Sequence, residues 1–289
     1  MRNLLGTWLI VGICAGCASA QDQQQQQQPP QQSQQPQQSQ QQPAANANAN
    51  ANVGAAGALT PDSSLDDILD ALDRRGDELN DFTANVTLGD VDTSVGSETK
   101  MSGKMWMQRL GQDDARLRVM FDRKQVNDQP AKGERQEFML AGGMLTERNY
   151  VDHKEIRRQV LQPGQKMNLL KLGEGPFPLP LGQDKADVHK MFEVKKVAPA
   201  QDDPAGTVHV QLTPKPSSQF ADRFATIDFW VDPSSRMPVR IVTMDPNGTT
   251  QRTTELKDVK VNANLTDKDF QLEPVSEKEW EIRTQAYDG

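Results

Sequence analysis

For nucleophilic, acid–base or metal chemistry the chain offers three histidines, two cysteines and some acidic runs. A hydrolytic site needs a nucleophile, a base and an orienting group that meet in space. None of His153, His189 and His209 sits in a motif that would supply the other two. His153 opens a charged strand, His189 lies beside Lys190 on a short helix, and His209 alternates outward from Val208 and Val210, so all three read as surface residues. Metal ligation has no better basis, because there is no His-x-x-x-His pair. Asp90-Val91-Asp92-Thr93-Ser94 lacks the glycine and the later bidentate glutamate of a calcium loop. Gly173-x-Gly175 is followed by Pro176 where a phosphate loop would begin a helix. The expectation is a protein with no catalytic residue, no metal and no cofactor.

Both cysteines, Cys14 and Cys17, lie near the start of the chain, so the folded part is expected to hold no disulfide and no thiolate metal site. They belong to a stretch with the build of an export signal. Met1-Arg2-Asn3 is positive, Leu4 to Ile13 is mostly apolar, and Ala18-Ser19-Ala20 ends in small residues. The apolar run is shorter than the ~20 residues a bilayer span requires. Two processing routes remain open. Cleavage before Gln21 would release the protein, whereas Cys14-Ala15-Gly16-Cys17 is similar to a lipobox and would leave Cys17 lipidated and the protein anchored to a membrane. The net charge of −8 argues against nucleic acid as a partner, since a phosphate backbone demands a basic face.

Three segments follow. Residues 1–20 form the signal. Residues 21–59 are a Gln-, Pro-, Ala- and Asn-rich spacer that can bury no core. Residues 60–289 form one folded domain. In that domain Asp62, Ser63 and Ser64 offer helix caps before Leu65, Ile68, Leu69 and Leu72, which recur at helical spacing up to Gly76. Beyond the helix the period changes to two. Phe82, Ala84, Val86 and Leu88 alternate with polar residues, as do Met105 and Met107, and then Leu117, Val119 and Phe121. Further strands are expected at Phe138 to Leu140, up to Tyr150, and from Ile156 to Leu161. After a short helix over Asp184 to Met191 they resume at Phe192–Val197, Thr207–Thr213, Ala225–Val231, Pro238–Met244 and Thr249–Val261, with Asn247-Gly248 as a hairpin turn.

Between the two sets of strands, Gly173 to Gly182 carries prolines that exclude both a helix and a central strand. Its Phe177, Leu179 and Leu181 must pack on something. Two readings stand: they plug the core, or they cover the concave face of the sheet loosely and leave a cavity. The fold class expected is α+β, a strongly curved antiparallel sheet forming an unclosed β-barrel with a helical, proline-rich lid.

Several segments, in order, resemble the LolA/LolB lipoprotein-sorting family. Gly103-Lys104-Met105-Trp106-Met107-Gln108-Arg109 is similar to its Gly-x-Leu-Trp-x-x-Arg strand, and Asp81-Phe82-Thr83-Ala84 to its opening strand. Pro176-Phe177-Pro178-Leu179 resembles its lid region, Val210 to Lys215 its Leu-Thr-Pro-Lys segment, Phe229 to Arg240 its strand, turn and return strand, and Phe270 to Pro274 its closing segment. The resemblance spans about residues 65 to 275. It implies a periplasmic carrier, monomeric, that receives the acyl chains of lipoproteins or another lipid in an apolar hollow. An inner-membrane releasing complex and an outer-membrane acceptor would be its partners. Arg109 stands where the family has an arginine that holds the lid shut, with Phe177, Leu179 and Leu181 in the lid. Trp106, Leu117, Val119, Phe121, Phe138, Leu140, Phe229, Val239 and Ile241 would line the hollow. The spacer, the tail with Trp280 and the lipobox depart from the family pattern, and they keep open a membrane-tethered acceptor or an envelope-stress sensing module of the same fold.

Overall fold

Strict alternation of apolar and polar residues gives each strand one face for a core, and these faces merge into a single surface. A computed structural model describes residues 59–60, 62–111, 114–162, 164–166, 169–170 and 181–287. The export signal with Cys17, nearly all of the spacer, and Phe177 and Leu179 of the insert lie outside the described residues. The described elements run α1 (Leu65–Glu78), β1 (Asp81–Asp92), β2 (Ser97–Gly111), β3 (Asp114–Val126), β4 (Lys132–Ala141), β5 (Met144–Asn149), β6 (Lys154–Gln159), α2 (Lys185–Met191), β7 (Phe192–Val197), β8 (Val208–Pro214), β9 (Thr226–Asp232), β10 (Met237–Met244), β11 (Thr250–Val261), a 3-10 turn at Asp267–Phe270, and β12 (Glu281–Gln285).

All twelve strands join one curved, open sheet in the order β12-β6-β5-β4-β3-β2-β1-β11-β10-β9-β8-β7. The chain meanders outward from β1 to β6, reappears at the opposite edge as β7, and meanders back until β11 pairs with β1. Every pairing is antiparallel except β12 with β6, which is parallel. The fold is thus the expected α+β unclosed sheet, with one parallel strand added at its edge.

Register builds the inner face row by row. Phe82 lies opposite Met107, which lies opposite Leu117, which lies opposite Leu140. On the far side Val210 faces Phe229, which faces Ile241. These residues share one core cluster with Ile68, Leu69, Ala71 and Leu72 of α1. An isolated helix of 14 residues is marginal in water. Here Ser64 caps its first turn, with Asp67 completing a capping box, and burying each leucine or isoleucine adds about 1.5–3 kcal/mol. Packing, rather than propensity, holds α1.

The outer face carries charges that periodicity did not reveal. Glu137 and Glu155 are fully buried. Glu137 accepts from Arg118 at 2.6 Å and from the Tyr150 hydroxyl at 2.7 Å, and Glu155 from Arg148 and Arg157. A buried carboxylate without such partners would cost several kcal/mol. The C-terminal segment, absent from the expected strands beyond Val261, crosses this face and ends as β12.

One glycine is required by a close approach. A Cβ at Gly103 would stand 1.9 Å from the Met120 carbonyl oxygen and 2.7 Å from Phe121 Cα, where β2 and β3 shift register. Gly103→Ala is expected to lower stability by about 1–3 kcal/mol, as overpacking does. The check is a reduced midpoint in urea unfolding.

Candidate ligand-binding site

The inner face and the helix that covers it form the candidate site, and the end of the helix is its best-defined part. Carbonyls in the last turn of a helix have no partner within the helix. Here three side chains from the sheet fasten that turn. Arg109 of β2 donates through Nη2 to Gly76 O, and through Nη1 to Asp77 O at 3.4 Å. Asn262, just after β11, donates to Glu78 O at 3.1 Å and accepts from Asn80 N–H at 2.9 Å. Arg236, in the turn between β9 and β10, pairs with the Glu78 carboxylate, whose proton affinity this hydrogen bond lowers. A cation near a helix C-terminus is also favoured by the helix dipole.

The same helix meets the end of the proline-rich insert. Gly182 N–H donates to Leu72 O at 3.2 Å. A Cβ on Gly76 would fall 2.1 Å from Gly182, so the two backbones touch. Leu181, next to it, is fully buried in the common core.

The expected lining residues divide by face. Leu117, Val119, Phe121, Leu140, Phe229 and Ile241 are buried in the core cluster, and Phe138 packs against it with its ring edge-on to Phe121 at 6.0 Å. Trp106 is not with them. Met105 and Met107 point inward, so Trp106 between them points outward, where the Arg118 guanidinium stands 5.1 Å from its ring. Val239, at an irregularity in β10, is half-buried and outside the cluster.

A cavity of about 210 Å³ opens at one end of the inner face, with Ala115, Leu140, Leu161 and Leu169 on its walls and Asp114 and Lys166 at its polar side. For scale, an apolar cavity of about 150 Å³ holds a benzene molecule. Nearby the inner face turns polar. Glu147 lies opposite Ile156 and pairs with Arg158 at 3.1 Å.

Each of the three histidines has a side-chain partner. His189 Nε2 lies 3.6 Å from Asp66 and His153 stacks on Trp280 at 5.5 Å. His209 is not the surface residue expected: its side chain is largely buried, 2.9 Å from Asp228 and stacked on Trp230 at 4.1 Å. Its strand does point it outward, but Trp230 from the neighbouring strand covers it. Among the described residues no three His, Cys, Asp or Glu side chains are grouped to hold a metal ion, and no helix is long and apolar enough to cross a membrane.

No family model and no curated protein matches the chain. Among solved structures, it is similar to an uncharacterized conserved protein from Thermus thermophilus, at 14% identity and a TM-score of 0.44 over 77% of this chain and 100% of that one. It is similar to a chain of the Pseudomonas aeruginosa MucA/MucB complex at 15% identity and a TM-score of 0.40, covering 72% and 60%. A LolA superfamily protein from Nitrosomonas europaea gives 13% identity and a TM-score of 0.28, covering 71% and 97%. None of these three superpositions reaches 0.5, so the fold rests on the strand order itself.

Burial pushes the Glu147 carboxyl above its usual range, against the pull of Arg158. Because its folded value is raised, its contribution to stability is full below the unfolded value of about 4.3 and is lost as pH rises through the folded one. Glu147→Gln is therefore expected to gain stability relative to wild type as pH rises from about 4 to 8. Parallel urea titrations across that range check the trend.

Proposed function

We propose that this protein is an extracytoplasmic carrier that holds the acyl chains of lipoproteins, or of another lipid, between the inner face of its sheet and α1, and that it performs no catalysis. The observation that carries the reading is the mixed character of the cover. Helix α1 presents apolar side chains to the core, while its C-terminal turn is fastened by Arg109, Asn262 and Arg236 through polar contacts. Opening breaks these few polar fastenings, and the acyl chains that enter replace the apolar contacts α1 gives up.

Reversible capture requires such a device. An acyl chain gains about 0.8 kcal/mol per buried methylene, so a rigid complementary hollow would not release it. When the empty state is closed, ligand affinity is reduced by the cost of opening. Leu181 and the core rows of β2, β3 and β4 occupy the space that chains would enter. In this reading Leu117, Val119, Phe121, Phe138, Leu140, Phe229 and Ile241 receive the chains, and Phe177, Leu179 and Leu181 belong to the cover. Trp106 and Val239, which stand apart from the inner cluster, are left out of that assignment. Residues 1–20 direct export to the periplasm, residues 21–59 act as the spacer, and residues 60–289 carry the ligand.

Purified protein is expected to carry acylated ligand or to take up a synthetic triacyl peptide after delipidation, as read by native mass spectrometry. Protein that is empty in every preparation and takes up none overturns the proposal. Arg109→Leu removes donors from the closed state, so ligand should leave it about tenfold more slowly, the equivalent of one hydrogen bond to a charged group at ~1.5 kcal/mol. Release to acceptor vesicles measures this. The mass of the mature N-terminus decides between Gln21 and a lipidated Cys17, and with it between a free carrier and a tethered acceptor.

A further inference from the structure

The outer face of the sheet holds a second feature, independent of the inner hollow. Residues 262–285 run across six strands in turn, β1 to β6. The Asp81 carboxylate accepts from Ala263 and Leu265 N–H at 2.6 and 3.1 Å, and Gln108 donates to Leu265 O at 2.8 Å. Arg116 pairs with Asp267 at 2.7 Å and lies over the Phe270 ring at 4.2 Å. Arg118 donates to Asp269 O at 2.8 Å and Arg148 to Glu273 O at 2.6 Å. Trp280 packs edge-on against Tyr150 at 5.1 Å, and β12 then runs along β6.

Charge distinguishes this strap from its bed. Between Thr266 and Gln285 it has six acidic residues and three basic ones. The strands beneath contribute Arg116, Arg118, Arg135, Arg148 and Arg157 against Asp81, Glu137 and Glu155. Yet the strap is shallow. Phe270 is its one buried residue among those described from 262 to 287, and it stands outside the main core cluster. A segment held by peripheral polar contacts opens at much lower cost than the domain. When it leaves, Glu137 and Glu155 keep their arginines, whereas donors of Arg116, Arg118 and Arg148 lose their partners in the strap and become available.

We propose that this outer face is a peptide-binding site, occupied in cis by the acidic strap, and that its ligand is an extended acidic segment of a partner protein bearing an aromatic residue among its carboxylates. The Asp267–Glu273 segment shows the pattern the site accepts: a carboxylate for Arg116, the Asp269 and Glu273 carbonyls for Arg118 and Arg148, and a ring beneath a guanidinium. Addition at the edge of β6, once β12 has left it, would follow the mode of extended peptides joining sheet edges.

The test uses the full-length chain and a fluorescein-labelled synthetic peptide with the sequence of residues 264–285. Phe270→Ala with Trp280→Ala should release the strap, as followed by hydrogen exchange. That double variant should bind the peptide at least tenfold more tightly than wild type at low salt. Adding Arg116→Glu should remove most of the gain, and a peptide with lysine at 267, 269 and 273 should not bind. Equal binding of the lysine peptide overturns the proposal, as does a released strap with no gain in affinity. A concentration-dependent dimer of the double variant that excludes the peptide also overturns it, in favour of exchange between copies. Should the double variant not fold, Asp267→Lys with Glu273→Lys, both at exposed positions, provides the released form for the same measurements.

Discussion

A single open sheet has two faces and two edges, and its inner face here is apolar from β1 to β4 and again from β7 to β11. That surface must be removed from water, and among the described residues one 14-residue helix, one short helix and the flanks of the insert do most of the covering. The remaining architecture follows from this demand. The sheet curves around α1, Gly103 and Gly76 let backbones approach where a side chain would block them, and the helix end is tied to β2, to the turn between β9 and β10, and to the segment after β11. A cover made of a few elements can also be lifted without dismantling the ladder, a property that closed barrels and two-sheet sandwiches do not share.

The outer face solves a different problem. Glu137 and Glu155 there are shut off from water, and each is matched by two guanidinium groups or by a guanidinium and a phenol. Such networks add little net stability compared with apolar packing but penalise any misregistration, because a lost partner leaves a buried charge. Register between β3, β4, β5 and β6 is thereby specified from both sides.

Much of the strand set was legible from alternation alone: β7 starts and ends where the period of Phe192 to Val197 places it, and Asn247-Gly248 marks the turn before β11. Parity also places Leu117, Val119, Phe121 and Phe229 inside. The resemblance alone places Trp106 in the hollow, whereas parity with Met105 and Met107 puts it outside. β12 gave no signal, because Glu281 to Gln285 has a single apolar residue and its pairing is to a strand more than a hundred residues earlier. The partners of Arg109 were hidden for a related reason. Main-chain carbonyls at a helix end carry no residue-type signature, so only the folded chain shows that the arginine meets Gly76 and Asp77 and which turn it fastens.

The strap lies C-terminal to every strand it covers, which sets an order of events during synthesis. Strands β2 to β6 can pair as soon as they emerge, but the segment that shields their charged side follows more than a hundred residues later. Throughout that interval Glu137 and Glu155 depend on Arg118, Arg135, Arg148, Arg157 and Tyr150 alone. The nascent sheet thus presents a hydrated, charged exterior rather than a sticky one, and it is protected from association with neighbouring chains until its own cover arrives.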